Sequence, residues 1–240
     1  MALRDDHQPA APPGRARRGR LAADTPHTRR RPTLLTTTLS RLSRLARLDL
    51  RIFDEVRDDP NATIPALVVA VASVLLLGLG GWLWWLLSGL GDTGSVFLKS
   101  VVLGSAFALG LWLVWLLVAY AVLQRVTAVT VPADRLLRCA GFAATPAALG
   151  VFMVIPAVSF GVGLLAIGAW LLLTQVAIER TSGIGGATAM LANAAGFAVW
   201  ALGMSLLSTG SNQFGVGPFL AESIWEALTG FDAGRDFITG

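Results

Sequence analysis

The residues able to do chemistry are few and unevenly placed. Residues 1–60 hold 13 of the 19 basic and 8 of the 15 acidic side chains, and both histidines, His7 and His27, fall in that stretch. No imidazole is left elsewhere to act as a base or a metal ligand. Cys139, the single cysteine, excludes an intramolecular disulfide and a cysteine-cluster metal site; without a neighbouring histidine it reads as a small apolar residue rather than a nucleophile. The run Ser182–Gly186, "SGIGG", lacks the preceding strand and the spacing of a dinucleotide fingerprint, so it reads as a turn. This inventory predicts no catalytic residue, no cofactor, no metal and no enzyme activity.

Two groups of polar residues remain. Arg41, Arg44, Arg47 and Arg51 recur near helical spacing, and guanidinium groups so placed suit phosphate, which makes them candidate contacts to anionic lipid. Ser73, Ser105, Thr145, Thr174, Gln175, Asn193 and Ser205 stand in apolar surroundings and read as interhelical hydrogen-bonding groups, Gln175 and Asn193 as a candidate pair between consecutive spans. The alternative for this second group is a small polar path. The sequence pI near 10.5 could suggest nucleic acid, but basic residues beside apolar spans have a simpler use in membrane orientation, and no nucleic acid is expected.

The elements that position these groups follow from periodicity. Leu39, Leu42, Leu45 and Leu48 recur every third residue while Arg44, Arg47 and Arg51 fall opposite, so residues 39–60 read as amphipathic helices. Asp49 would interrupt the apolar arc and is read as an N-cap between two helices. Leu50, Phe53 and Val56 form the second apolar face, closed by Asp58, Asp59 and Pro60. Such helices lie in the headgroup plane or pack on the cytoplasmic ends of spans.

A bilayer core takes about 20 apolar residues per helix, and five segments qualify: 64–90, 101–123, 136–157, 160–178 and 187–207. The first is long enough to tilt or to kink near Gly80 and Gly81. The third and fourth form a tight hairpin after Pro156. The tryptophans, from Trp82 to Trp200, are expected at interfaces, on lipid-facing surface or gripping a partner helix. The fold class is therefore an all-α integral membrane protein, a five-transmembrane-helix bundle (61–207) preceded by a cytoplasmic amphipathic helical segment (39–60). Alternating patterning for a β-barrel is missing.

Residues 1–38, rich in Pro, Arg and small side chains, are expected to be disordered. Their "TRRRPTLL" is not a twin-arginine signal, because Arg41, Arg44 and Arg47 interrupt any apolar core. With the arginine-rich end inside, Arg125, Arg135, Arg138 and Arg180 also fall inside, Asp92 and Lys99 outside, and the acidic tail 208–240 outside, in agreement with the positive-inside rule. That tail predicts a short helix from Pro218, resting on the outer surface or docking on another subunit. Eighteen of the 19 basic residues are arginine, which with the Ala, Gly and Leu content points to a GC-rich bacterial source and a bacterial cytoplasmic membrane.

The stretch "LDLRIFDEVRDDPNATIPALVVAVASVLLLGLGG" resembles the approach to the first span in bacterial members of the Yip (Ypt-interacting protein) family, with Asp59 and Pro60 at the Asp-Pro-x-Ala-Thr-like turn. "LLRCAGFAATP" resembles that family's Gly-aromatic-x-x-x-Pro signature, with Gly141, Phe142 and Pro146. The resemblance covers about residues 45–207, and the Asp-Leu-Tyr-Gly-Pro-like element of eukaryotic members is absent. It implies five spans with the N-terminus inside and a membrane-organising or trafficking-type role without catalysis. The expected function is thus to organise or shape the membrane or to adapt a partner protein to it. A small transporter or channel and an accessory subunit of a larger membrane complex are the alternatives. The expected partners are anionic membrane lipids, with a membrane protein or a second copy of the chain as further candidates.

Overall fold

The computed structural model describes residues 34–89, 93–127, 131–208 and 214–220. Every regular element among the described residues is helical. The disorder expected for residues 1–33 and the tail helix expected through Ile224, Trp225 and Leu228 lie outside the described residues. Helix α1 (Leu34–Ala46) starts within the stretch expected to be disordered, because Leu34 and Leu35 extend its leucine row. Helix α2 (Ile52–Asp58) follows.

Five helical segments are long and apolar enough to cross a membrane: Pro60–Ser88, Gly94–Thr127, Ala133–Val154, Ser159–Ser182 and Ala187–Ser208. Span one is a turn of 3-10 helix, Pro60–Ala62, running into α3 (Thr63–Ser88). Helix α3 is unbroken at Gly80 and Gly81, so these glycines serve contact rather than a kink. Span two joins α4 (Thr93–Val96), a π-helical stretch Phe97–Gly104, and α5 (Ser105–Thr127). It takes in Lys99, which the charge pattern assigns to a loop. Span three is α6 (Ala133–Ala143) continued as 3-10 helix over Thr145–Val154. Pro146 causes the change, since it lacks the N–H an α-helix would use. Span four is α7 (Ser159–Ser182), and span five is α8 (Ala187–Ser208). Gly183 and Gly186 join them with φ of +69° and +72°, which glycine adopts without a Cβ clash.

The packing order differs from the chain order. Span three lies between spans one and four, and span five packs mainly along α5. Close approach depends on small residues: a Cβ on Gly80 would collide with the Gly150 carbonyl, and one on Gly196 with Trp115. Trp112, Trp115, Trp170 and Trp200 are fully buried, contrary to the expected interfacial or outward placement. Trp115, Trp170 and Trp200 pack ring against ring, Trp170 and Trp200 edge-on with centroids 5.3 Å apart. Trp115 Nε1 donates to Asn193 Oδ1 at 3.0 Å, and Trp200 Nε1 to the Ala108 carbonyl at 3.0 Å, which lets their polar ends enter the interior.

Residues 214–220 turn back into this core instead of resting on the surface. Val216 and Leu220 are fully buried, Phe219 packs on Trp200, and Ser100 Oγ donates to the Gly215 carbonyl at 2.7 Å. The chain fits because Gly104 in the π-helical stretch carries no Cβ, which would stand 2.5 Å from the Phe214 carbonyl oxygen. Irregular backbone at this depth is tolerable only when enclosed by protein.

Candidate functional site

The polar chemistry collects at one end of the bundle, where α1 and α2 meet the start of α3, the start of α6 and the end of α7. Ile52, Phe53 and Val56, at i, i+1 and i+4 of α2, are each 0% exposed. They pack with Ala62 and Ala66 of span one, Cys139, Phe142 and Ala143 of α6, and Ala177 of α7. Cys139 Sγ lies 3.5 Å from the Phe53 carbonyl, a small buried group without a nucleophile's surroundings. Leu45 anchors the end of α1 in the same cluster, while Leu34, Leu35 and Leu39 stay exposed.

Arginines then tie α2 down. Arg138 Nη1 donates to the Arg57 carbonyl at 2.8 Å, and Arg57 Nη1 to the Arg180 carbonyl at 2.9 Å. Each guanidinium thereby caps the C-terminal end of another helix, where free carbonyls and the helix dipole favour a cation. Arg180 Nη1 closes the loop on Asp54 Oδ2 at 3.0 Å, Arg57 pairs with Asp58, and Arg138 with Asp134. Arg138 is buried, 6% exposed, although its place at the start of span three suggested an interfacial residue. Nothing local in the sequence shows these partners, because Asp54 and Arg180 are 126 residues apart; the one legible signal is a basic residue in the last turn of both α2 and α7.

Asp59 links this end to span one. It accepts from Arg41 Nη2 at 2.6 Å and, through Oδ1, from the Asn61 amide at 3.0 Å. Asp59 thus N-caps the turn in which Pro60 takes the first position. The hydrogen bond from Arg41, more than any other influence, holds its carboxyl below the ordinary aspartate range. Arg44 does the same for Asp49, and Arg57 for Asp58. Asp49 lies between the helices, its Oδ1 accepting from the Arg51 amide, but α2 begins at Ile52 without a side-chain cap. It organises the corner rather than serving as the expected N-cap.

The candidate residues separate into groups. Arg41 and Arg44 are held in ion pairs, Arg44 with both Asp49 and Glu55, whereas Arg47 and Arg51 are exposed and make no ion pair among the described residues. Among the motif positions, Gly141 meets α3 at the Ala66 carbonyl, where a Cβ would lie 2.6 Å away, Phe142 is buried beside α2, and Pro146 opens the 3-10 stretch. Gln175 and Asn193 do not pair. Gln175 Nε2 donates to Glu179 Oε1 one turn along its own helix, and Asn193 bridges Trp115 to the Leu171 carbonyl.

An apolar groove of about 220 Å³ runs between α5 and α6, lined by Leu113, Leu117, Tyr120 and Leu137 among others. It brings no set of convergent polar groups to a substrate. Among the described residues no three His, Cys, Asp or Glu side chains gather as metal ligands. Comparison with family models, with curated proteins and with solved structures gives no match.

Proposed function

We propose that this chain is a non-enzymatic, Yip-like protein of the bacterial cytoplasmic membrane that organises the membrane or adapts a partner protein to it through α1 and α2. The observation that carries the reading is the docking of α2: three fully buried apolar side chains and the arginine network join this charged platform to three spans. A load taken up by the platform is therefore carried by the membrane body. Positive-inside bias puts the platform and the N-terminus in the cytoplasm and, after five spans, the C-terminus outside.

Extraction of the tagged chain into polymer-bounded native nanodiscs tests this directly. A stoichiometric protein companion supports the adaptor or subunit form, and enrichment of anionic lipid around a lone chain supports membrane organisation. Neither a companion nor lipid enrichment would overturn both.

A second reading, a small transporter, is favoured by the helix change at Pro146 together with the Thr174 hydroxyl and Gln175 Oε1, buried and without a hydrogen-bond partner among the described residues. Solute flux in reconstituted vesicles, abolished by Thr174→Val, would establish it. Absence of flux across a broad solute panel would end it.

A further inference from the structure

We infer that the corner between α1 and α2, formed by Arg47, Leu48 and Arg51, is seated in the headgroup region of an anionic bilayer, with Leu48 at the acyl boundary and the two arginines on lipid phosphates. This deepens, and rests on, the reading of α1 and α2 as the membrane-linked platform.

Leu48 is the first observation. Its φ is +60°, the one positive value outside glycine among the described residues. Glycine takes this left-handed position because it has no Cβ, and asparagine offsets the cost with local hydrogen bonds, whereas leucine sets its Cβ against the following carbonyl oxygen with nothing to offset it. The side chain is nevertheless 76% exposed, so packing among the described residues does not compensate the strain. The backbone is pinned from both sides: the Leu48 amide donates to the Leu45 carbonyl at 2.9 Å, the Asp49 amide to the Arg44 carbonyl at 3.1 Å, and the Arg44–Asp49 ion pair closes the turn at 2.8 Å. A strained conformation so fully determined, ending in an outward leucine, points to something outside the chain that receives it.

Charge identifies the receiver. Of the four arginines in this segment, Arg41 and Arg44 are consumed by Asp59, Asp49 and Glu55, and only Arg47 and Arg51, which flank Leu48, remain available. The nearby carboxylates are taken, Asp49 and Glu55 by Arg44 and Asp54 by Arg57 and Arg180. The corner is therefore cationic around one aliphatic side chain, the composition of an interfacial anchor on acidic lipid.

Depth agrees. Helix α2 packs at the level of Cys139, about 9 Å along α6 from Ala133 at 1.5 Å per residue, and of Ala177, about 7.5 Å short of the end of α7. It lies beside the span ends, not above them. Leu45, three residues before the corner, belongs to the same buried cluster, and Leu34, Leu35 and Leu39 carry the leucine row outward from it.

The test uses the full chain with Leu48→Cys carrying a nitroxide; Cys139, the only native cysteine, is fully buried, and the unsubstituted chain controls for its labelling. The protein is reconstituted in discs of phosphatidylcholine alone or mixed with phosphatidylglycerol. The expected result with phosphatidylglycerol is a label accessible to oxygen and shielded from a water-soluble relaxation agent. Arg47→Gln and Arg51→Gln should each lower the immersed population about fivefold, and together about thirtyfold. Leu48→Gly, which relieves the backbone, should leave the helical content intact and lower hydrogen-exchange protection of residues 46–52 in the anionic discs. A label equally exposed to water in both lipids, or equally immersed in both, overturns the inference. So does shielding of the label by a co-purified acidic protein, although that result leaves the adaptor reading standing. An immersed label with no companion and no lipid enrichment in native discs would overturn the function and spare the anchor.

Discussion

A guanidinium carries five N–H donors, and inside a membrane span each must find an acceptor or remain costly. Arg138 meets part of this demand with the Arg57 carbonyl and Asp134, while its Nε has no partner among the described residues. Its worth lies in what it holds: without it, the end of α2 loses a cap and the Arg57 carbonyl loses its donor, a penalty of about 1–3 kcal/mol. Arg138→Ala should therefore raise amide exchange across 52–58 by about tenfold or more, with Arg138→Lys intermediate because it keeps the charge and loses the fork. Protection unchanged in Arg138→Ala would remove the pin from the account. The aspartates add a pH dependence of fixed sign. Asp49, Asp58 and Asp59 are held below the ordinary value of 3.8, so their contribution is present above it and is lost as pH falls through their folded values. Exchange protection of 41–59 should be flat from about pH 5 to 8 and fall below about pH 4. Because these pairs are partly exposed, high salt should weaken them as well.

Elements are joined here by missing side chains as much as by present ones. Span three changes from α to 3-10 helix at Pro146, which carries Gly150 onto Gly80 with backbone against backbone. Gly80→Ala must push those backbones apart and should cost about 1–3 kcal/mol, read as a lower apparent Tm in detergent. Gly161 and Gly168 have open space where a Cβ would stand, so Gly161→Ala and Gly168→Ala should be neutral or stabilising by up to about 1 kcal/mol. Equal effects at Gly80 and Gly161 would sink the close-contact account. Sequence composition marks all these glycines alike, since a glycine in an apolar helix looks the same whether a neighbour or lipid stands beside it.

At the scale of the whole molecule, the two ends of the bundle are built differently. One end carries the charged platform; at the other, residues 214–220 fill the space between α3, the π-helical stretch, α7 and α8. Leu220→Ala should cost about 2–4 kcal/mol for a fully buried leucine. Truncation before Phe214 should cost more and leave Trp200 open to quenching by acrylamide. An unaltered Tm in the truncated chain would show that the segment is a passenger.

The sequence by itself determined the helical class and the five apolar segments. It also determined the turn at Gly183–Gly186 and the end of α2 at Asp58, before Pro60. Those features depend on local quantities, namely summed hydropathy and residues whose backbone preferences stop a helix. Only the tertiary structure decided that span three lies between one and four, that Trp112, Trp115, Trp170 and Trp200 face inward, that Asn193 serves Trp115 instead of Gln175, and that Arg41 and Arg44 are spent on carboxylates while Arg47 and Arg51 are not. The reason is that a span is apolar on every side. Lipid is as good a neighbour for leucine as another helix is, so periodicity does not mark the inner face, and packing fit and distant polar partners choose it.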